Sequence, residues 1–233
     1  MSFHDFFKVA TMKIALVTGA GSGIGKAIAL DLAKQNYHLI LLDRNQRTLK
    51  LAYNQLIITR HPVDYFVVDV SYKNAILNCI EEIVRRYGRI DLLINNAGVF
   101  SEGTTTLSLD KLEEIIQVNL LGAIYVAQTV AKQMKKQRSG YIINMASLAG
   151  KRSFSNLGGY SASKFGLLGF NDALFKEMLD YHVKVTAICP SIVNTPMMKD
   201  FDMKRSSMIQ PRDIVRTVDF LLGLDFNAAI SEI

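Results

Sequence analysis

Cysteine and histidine are scarce in this sequence, and their spacing excludes several classes of protein. The two cysteines, Cys79 and Cys189, lie in apolar runs, so we expect no disulfide framework and a reducing compartment such as the cytosol. The four histidines are scattered, with no HExxH motif and no paired-ligand spacing. The sequence therefore predicts no metal site.

The chain also lacks linkers, repeats and long apolar runs. No tract rich in proline, glycine or serine divides its 233 residues, which are 49% hydrophobic and 21% charged, so we expect one domain over residues 1–233. The leader, residues 1–12, has no signal-peptide or transit-peptide pattern, and no apolar run approaches the length that spans a bilayer. These absences predict a soluble, cytoplasmic protein without a membrane partner.

Positive charge is in excess but is not arranged in a stripe. The net charge is +6, and four cations cluster near the end of one predicted helix, at Lys132, Lys135, Lys136 and Arg138. Cations are favourable near helix C-termini, whereas a nucleic-acid binder carries a basic stripe or patch. We therefore expect no nucleic-acid partner.

Six short apolar runs rich in β-forming residues alternate with amphipathic stretches at helical spacing. The runs cover residues 13–19, 37–43, 64–70, 90–96, 140–147 and 183–190. They are apolar on both faces, as strands of a parallel sheet are when helices cover both sides. This order predicts an α/β fold, a doubly wound parallel sheet of the Rossmann-like type with helices on both faces, whose ligands bind at the carboxyl ends of the strands.

The stretch TGAGSGIGK, residues 18–26, joins the first strand to the first helix and has the composition of a phosphate-binding turn. A P-loop requires a glycine where this chain has Ala20 and a hydroxyl residue where it has Ala27. The G-x-G-x-x-G pattern also fails, and the pattern that fits is Thr18-Gly19-x-x-x-Gly23-x-Gly25. Such a turn brings backbone N–H groups to a pyrophosphate at a helix N-terminus, or simply packs the helix on the strand.

The end of the second predicted strand favours NAD over NADP. Asp43 lies 24 residues beyond Gly19, where a carboxylate can accept hydrogen bonds from an adenosine ribose 2′-OH and repel a 2′-phosphate. Arg44 could instead favour the phosphate, whereas Ser22, which precedes Gly23, is not basic. We predict NAD as the cofactor, with NADP as the alternative.

Three residues near the fifth predicted strand could carry proton transfer. Ser147 ends that strand, and Tyr160 and Lys164 are four residues apart at the start of a helix, so both project from one face. A nearby ammonium and a cationic nicotinamide would favour phenolate and lower the tyrosine pKa from about 10 by about 3 units. Tyr160 could then exchange a proton while the cofactor carries hydride, although a Tyr/Lys pair at this spacing is also common on solvated helix faces.

Taken together and in order, the motifs of this chain resemble those of a known family. They are Thr18-Gly19-x-x-x-Gly23-x-Gly25, Asp69, NNAG at 95–98, Asn119, Ser147, Tyr160-x-x-x-Lys164 and Pro190 leading to Thr195. With them the sequence resembles the single-domain short-chain dehydrogenases/reductases. The resemblance implies that Tyr160 is the general acid/base, that Ser147 hydrogen-bonds the reacting oxygen, and that Lys164 lowers the phenol pKa and binds the nicotinamide ribose. It also implies that Asn119 holds a water on a proton relay behind Lys164.

The same resemblance implies a cofactor site along the carboxyl ends of the strands. Asp69 and Val70 would frame the adenine, residues 95–98 would line the adenosine side, and Ile192 and Thr195 would meet the nicotinamide carboxamide. The predicted cofactor-binding residues are Gly19, Ser22, Gly23, Ile24, Gly25, Asp43, Arg44, Asp69, Val70, Asn95, Ala97, Gly98, Tyr160, Lys164, Pro190, Ile192 and Thr195.

The leading functional hypothesis is an NAD(H)-dependent oxidoreductase that interconverts a secondary alcohol and a ketone, with a small-molecule alcohol or carbonyl compound as substrate. One alternative is an NADPH-dependent carbonyl or 3-oxoacyl reductase. A second is a non-catalytic module that senses dinucleotides, although a pure binder has no need of the Ser147, Tyr160 and Lys164 set.

The resemblance also implies a mobile substrate lid over residues 196–210. Its methionines and Phe201 predict an apolar, adaptable surface, and Lys204 and Arg205 could meet an acidic substrate or form a solvated tip. Ser191 departs from the glycine usual in the family, and the sequence given ends as a further strand would begin. Pairing through helices at 107–136 and 160–180 would give a homodimer or homotetramer, although their apolar stripes serve equally well as core.

Overall fold

The computed structural model describes residues 12–233, so all but one residue of the predicted leader lies outside the described residues. Six strands form one parallel sheet in the order β3-β2-β1-β4-β5-β6. The strands are β1 (Lys13–Thr18), β2 (Tyr37–Asp43), β3 (Val63–Val67), β4 (Leu92–Asn95), β5 (Gly140–Met145) and β6 (Val183–Ile188). The predicted doubly wound parallel sheet is confirmed.

Helices follow the strands in alternation and cover both faces of the sheet. They are α1 (Gly23–Leu32), α2 (Gln46–Ile57), α3 (Lys73–Tyr87), α4 (Leu109–Ile116), α5 (Ala123–Gln137), α6 (Gly158–Met178) and α7 (Pro211–Gly223), and a π-helical segment, Gln117–Gly122, joins α4 to α5. Alternate residues of each strand point to opposite faces, so Ala15 and Val17 belong to one apolar core, whereas Ile14 and Leu16 belong to the other. Helices α1, α2 and α7 cover the first core, and α3, α5 and α6 cover the second.

Five of the six strands end before their predicted last residue at the edge of the sheet where ligands bind, namely β1 at Thr18, β3 at Val67, β4 at Asn95, β5 at Met145 and β6 at Ile188. The third was predicted over 64–70 but ends at Val67, and the fifth was predicted to 147 but ends at Met145. Beyond β3 the chain turns, because Asp69 accepts hydrogen bonds from both the backbone N–H and the hydroxyl of Ser71. Asp69 and Ser147 therefore lie in loops that leave the sheet. The longer strands were predicted because the residues next to Asp69 and Ser147 are apolar.

The strand order reverses at β1, which pairs with β2 on one side and β4 on the other. At such a switch point the loops after neighbouring strands part and leave a crevice. The turn after β1, the end of β2 and the loop after β4 meet there. This position is where the sequence predicted a ligand.

One helical stretch, Leu109–Gln137, is long and apolar enough to cross a membrane by length and composition alone, with a mean hydropathy of 1.3 in its most apolar window. The prediction that no run approaches this length was therefore wrong. Half of that window is buried inside the protein, and Val126, Val130 and Met134 belong to the core beneath the sheet. A core helix meets the same length and composition criteria, because it too presents apolar residues to its surroundings.

A row of buried amides crosses the protein beneath the carboxyl edge of the sheet. Asn95 donates to the Oδ1 atom of Asn144 at 2.9 Å, Asn144 donates to Asn171 at 2.9 Å, and Asn171 donates to the carbonyl oxygen of Ser231 at 3.0 Å. These residues belong in turn to β4, β5, α6 and the segment 230–233, which runs parallel to β6. The row links four elements through hydrogen bonds that are satisfied inside the core.

Candidate active site

The glycine turn after β1 depends on the absence of side chains at three positions. Gly19 and Gly23 have φ angles of +65° and +54°, a region that favours glycine. A Cβ atom on Gly25 would lie 2.5 Å from the Nδ2 atom of Asn96 and closer still to the carbonyl oxygen of Gly19. Helix α1 begins at Gly23, so its first backbone N–H groups and positive dipole end lie beside this turn.

The turn forms one wall of a cavity of about 250 Å³ at the switch point. Eleven predicted cofactor-binding residues line it: Gly19, Ser22, Gly23, Ile24, Asp43, Arg44, Asp69, Val70, Ala97, Gly98 and Thr195. Gly25 does not line the cavity, because it lies under the turn against Gly19. Gly25 lets α1 approach β1, and its predicted part in cofactor binding stays a prediction.

The carboxylate of Asp43 is fixed by backbone hydrogen bonds on both of its oxygens. The N–H of Gly21 donates to Oδ2 and the N–H of Asn45 donates to Oδ1, each at 2.9 Å. A Cβ atom on Gly21 would lie 2.9 Å from the same Oδ2 atom. The phosphate turn and the end of β2 are therefore built as one unit, with the carboxylate lining the cavity.

Arg44 spans the mouth of this cavity. Its Nη2 atom lies 3.1 Å from Oε1 of Glu114, and its Nη1 atom lies 3.6 Å from Oδ2 of Asp69. Glu114 was not predicted as a site residue, because it lies 70 residues from Arg44 on α4 and belongs to no motif. Only the packing of α4 beside the end of β2 brings the two together.

Two predicted site residues, Asn95 and Asn119, are buried in the core. Asn95 donates to the carbonyl oxygen of Ala123 as well as to Asn144. Asn119 lies in the π-helical segment and clamps the backbone of Val99, accepting from its N–H at 2.8 Å and donating to its carbonyl oxygen at 2.9 Å. Neither residue lines a described cavity. Both side chains therefore bond to the chain itself, and their predicted parts in cofactor binding and in a water relay stay predictions.

A second cavity of about 430 Å³ brings together the three residues predicted to carry proton transfer, Ser147, Tyr160 and Lys164. Pro190 and Ile192 also line it, together with Phe100, Leu157, Met198 and Phe201. The two cavities adjoin, since Ile24, Gly98, Val99 and Thr195 line both. Most of this wall is apolar, which is typical of a small-molecule site with a few convergent polar groups.

Tyr160 is held between Ser147 and Phe100. The ring of Phe100 meets the ring of Tyr160 edge to face, with centroids 5.1 Å apart. Burial raises the pKa of Tyr160, and a hydrogen bond with Ser147 acts against this by favouring phenolate. Phe100 was not predicted as a site residue, because an aromatic residue in a loop carries no motif.

Lys164 is buried and directed at the backbone. Its Nζ atom donates to the carbonyl oxygen of Met145 at 2.8 Å and lies 5.7 Å from the ring centroid of Tyr160. Burial lowers the pKa of Lys164 to about 8. Ser147 favours phenolate here, and a further lowering of the tyrosine pKa by Lys164 beside a bound nicotinamide stays a prediction.

The residues of the two adjoining cavities fit a dinucleotide. The turn offers backbone N–H groups at the start of a helix, and a Cβ atom on Gly23 would reach within 3.2 Å of Thr195 and narrow the passage between the cavities. Asp43 supplies an acceptor for ribose hydroxyls at one end, and Lys164 supplies a buried donor at the other.

Comparison with known proteins agrees with this geometry. The sequence model of the family described as short chain dehydrogenase matches residues 13–206. The chain belongs to the short-chain dehydrogenase family. An uncharacterized oxidoreductase of Staphylococcus saprophyticus subsp. saprophyticus is 33% identical over 223 residues, which cover 95% of each chain. The protein is therefore a short-chain dehydrogenase/reductase enzyme, and its family binds nicotinamide dinucleotides.

Solved structures similar to this short-chain dehydrogenase include complexes with either cofactor. An actinorhodin polyketide ketoreductase crystallised with NADPH has a TM-score of 0.87 and 30% identity, covering 96% of this chain and 95% of that one. An NAD⁺-bound xylitol dehydrogenase has a TM-score of 0.85 and 27% identity, covering 94% and 95% of the two chains. Structures similar to this chain therefore occur with NADPH and with NAD⁺.

The segment predicted to be a substrate lid, residues 196–210, is tied to the residues before it by hydrogen bonds in this short-chain dehydrogenase. The N–H of Asn194 donates to the carbonyl oxygen of Ile209 at 2.8 Å, and that of Ile209 donates to Ile192 at 3.0 Å. Arg205 donates to the Oδ1 atom of Asn194 and to the carbonyl oxygen of Thr195. Arg205 is exposed and is anchored by these hydrogen bonds. Met197, Met198 and Phe201 line the second cavity, whereas Met203 and Met208 do not.

Replacing Lys164 by methionine should change how the stability of this short-chain dehydrogenase depends on pH. Burial lowers the pKa of Lys164 from 10.5 to about 8, so between these values the unfolded chain binds a proton that the folded chain does not, and stability rises with pH. From pH 8 to 9.5 the wild-type protein should gain about 2 kcal/mol relative to Lys164→Met. Urea unfolding at several pH values measures this gain.

The control is Lys176→Met, which changes an exposed lysine on the same helix, α6. Its stability relative to the wild-type protein should stay nearly constant over the same pH range. A constant difference between wild type and Lys164→Met from pH 7 to pH 10 would contradict the burial of an ammonium group at this position.

Proposed function

We propose that this enzyme is NAD(H)-dependent and interconverts a secondary alcohol and a ketone. One observation carries the proposal: Ser147, Tyr160 and Lys164 line a single apolar cavity that adjoins the cavity walled by the glycine turn. A proton donor, an oxygen-binding hydroxyl and a buried cation thus converge where a dinucleotide would end. Interconversion of a ketone and an alcohol requires this combination.

The bound nicotinamide would supply or accept the hydride. In reduction, Tyr160 donates its phenolic proton to the substrate oxygen, and in oxidation its phenolate accepts the hydroxyl proton. Ser147 hydrogen-bonds the same oxygen and the phenol, which favours the phenolate left after reduction. The apolar residues around the cavity, Phe100 among them, exclude water and so strengthen these polar interactions.

Lys164 and Asn119 act behind these two residues in the proposed mechanism. The ammonium group of Lys164, fixed by the carbonyl oxygen of Met145, binds the nicotinamide ribose and stabilises phenolate through its charge. Asn119 clamps Val99, which lines both cavities. Its proposed part is to hold the wall between cofactor and substrate in place, and a water relay through it stays a prediction.

The preference for NAD(H) rests on the end of β2. The carboxylate of Asp43 is held rigidly by two backbone N–H groups and lines the cofactor cavity. A carboxylate in this position accepts hydrogen bonds from ribose hydroxyls and repels a 2′-phosphate. Arg44, the residue that could attract such a phosphate, is already paired with Asp69 and Glu114.

Titration with the four nicotinamide cofactors tests the preference directly. Protein fluorescence or calorimetry should give a Kd for NADH at least about tenfold below that for NADPH. Tighter binding of NADPH would overturn the assignment to Asp43. A panel of secondary alcohols and ketones, followed by cofactor absorbance, then identifies the substrate, and apolar compounds should be the best substrates.

The second candidate function is an NADPH-dependent carbonyl or 3-oxoacyl reductase. It is favoured by Arg44 in the cavity wall and by similarity to a β-ketoacyl-[ACP] reductase from Bacteroides thetaiotaomicron, with a TM-score of 0.83, 32% identity and 95% coverage of both chains. A non-catalytic sensor is the third. It would bind cofactor without turning over any compound in the panel.

The remaining features of the proposal concern the whole protein. We propose one domain over 1–233, a cytoplasmic location, and a homodimer or homotetramer that binds neither nucleic acid nor membrane. Helix α6 supports the assembly, because Phe165 is 45% exposed on it. Sedimentation velocity of the purified protein tests the oligomeric state.

A further inference from the structure

The adenosine end of the cofactor cavity contains more ionised groups than are required to hydrogen-bond the hydroxyls of a ribose. Asp43, Arg44 and Asp69 line it, and Glu114 reaches Arg44 from helix α4. We propose that Glu114 is a specificity-determining residue, which holds Arg44 away from the position of a 2′-phosphate and so adds to the preference for NAD(H). This inference rests on the proposed function, since it concerns the same cavity and cofactor.

The geometry gives Arg44 two carboxylate partners on different elements. Asp69 belongs to the loop after β3 and Glu114 to α4, and each pairs with a different terminal nitrogen of the guanidinium, at 3.6 and 3.1 Å. The contact with Glu114 is a hydrogen bond and that with Asp69 a longer ion pair, so Glu114 is the stronger of the two partners. The two ion pairs therefore direct the guanidinium toward the loop after β3 and toward α4.

The charge around Arg44 disfavours a further anion. Lys111 pairs with Glu114 at 2.7 Å, so this end of the cavity contains three carboxylates, of Asp43, Asp69 and Glu114, and two cations. A 2′-phosphate would bring up to about two more negative charges. Because hydrogen bonds from Lys111 and then Arg44 lower the pKa of Glu114, this carboxylate is ionised at neutral pH.

A phosphate would have to compete with these carboxylates for the guanidinium of Arg44. Removing the charge of Glu114 weakens one of the two pairs and also removes one repulsive group. The side chains are partly exposed, which limits the size of the effect. We expect Glu114→Gln to lower the ratio of the NADPH Kd to the NADH Kd by about three- to tenfold.

The experiment compares Glu114→Gln with Glu113→Gln. Glu113 is the neighbouring residue on α4, is exposed, and forms no ion pair with any residue from 12 to 233, so its variant loses the same charge without releasing Arg44. The Kd values of NADH and NADPH are measured by fluorescence titration, which requires no substrate and no turnover. Thermal unfolding of each variant confirms that it is folded.

Variants at Arg44 separate release of the guanidinium from simple removal of negative charge. If Glu114 acts by holding Arg44, then Glu114→Gln should change the Kd ratio much less in an Arg44→Ala background than in the wild-type background. An equal change in both backgrounds would overturn the role assigned to Glu114. So would an equal change in the Glu113→Gln and Glu114→Gln proteins.

Failure of this inference differs from failure of the proposed function. If wild-type protein binds NADPH more tightly than NADH, the NAD assignment fails, whatever Glu114 does. If wild type prefers NADH and Glu114→Gln leaves the ratio unchanged, the NAD assignment stands and the role of Glu114 is refuted.

Discussion

Tyr160→Phe should lower turnover about a thousandfold while leaving the Kd for NADH within about threefold of the wild-type value. The variant keeps the ring that packs on Phe100 and loses only the hydroxyl, which is the proposed proton donor and acceptor. Steady-state kinetics with the best substrate of the panel and cofactor titration measure the two quantities. The contrast between them separates chemistry from binding.

The control for this prediction is Tyr125→Phe, which removes the same hydroxyl from a half-buried tyrosine of α5 outside both cavities. Its turnover should remain within about twofold of wild type. If Tyr160→Phe retained more than about a tenth of the wild-type turnover, general acid–base catalysis by Tyr160 would be refuted. Loss of cofactor binding in this variant would instead indicate a damaged site.

Gly25→Ala should have the second largest effect, on dinucleotide binding. The new methyl group would lie 2.5 Å from the Nδ2 atom of Asn96 and still closer to the carbonyl oxygen of Gly19, so the turn and the start of α1 must move apart. A displacement of about 1 Å can cost about a hundredfold in kcat/KM. We expect a loss of about that size in kcat/KM, with a loss of stability of about 1–3 kcal/mol from overpacking.

Gly169→Ala is the matched control, since it makes the same change in another helix. Nothing lies within 4 Å of a Cβ atom built on Gly169, so cofactor binding should be unchanged and helix α6 should gain about 0.5–1 kcal/mol. Urea unfolding, NADH titration and steady-state measurement of kcat/KM are run on both variants. Wild-type affinity for NADH in Gly25→Ala would show that the turn does not depend on this close contact.

Much of the fold could be predicted from hydrophobic pattern alone. Runs apolar on both faces indicated a covered parallel sheet, and their order gave the doubly wound arrangement that the strand order confirms. The ends of β3 and β5 were misjudged, because Asp69 and Ser147 follow apolar residues without a glycine or proline to mark the turn. Hydrogen bonds made after the strand ends, such as that from Ser71 to Asp69, leave no periodic pattern.

The candidate site was predicted where residues recur at fixed spacing, and missed where contacts are made across the chain. Tyr160 and Lys164 lie one helical turn apart, so their common location followed from spacing. Glu114 and Phe100 reach the site from distant elements and carry no motif. A motif also does not identify the group that each of its residues contacts. Gly25 and Asn95 were therefore assigned to the cofactor, although in the structure they contact the chain itself.

The buried row of amides has a consequence for how the catalytic residues are aligned. Each asparagine donates its Nδ2 hydrogens onward, and the row ends on a backbone carbonyl, so the orientation of every amide follows from the one after it. Sliding β4, β5 or α6 by one residue would leave polar groups without partners in the core, at a cost of about 1–3 kcal/mol each. These amides therefore fix the register of β4, β5 and α6 relative to one another. They thereby set the relative positions of Val99, Ser147 and Tyr160 without contacting substrate.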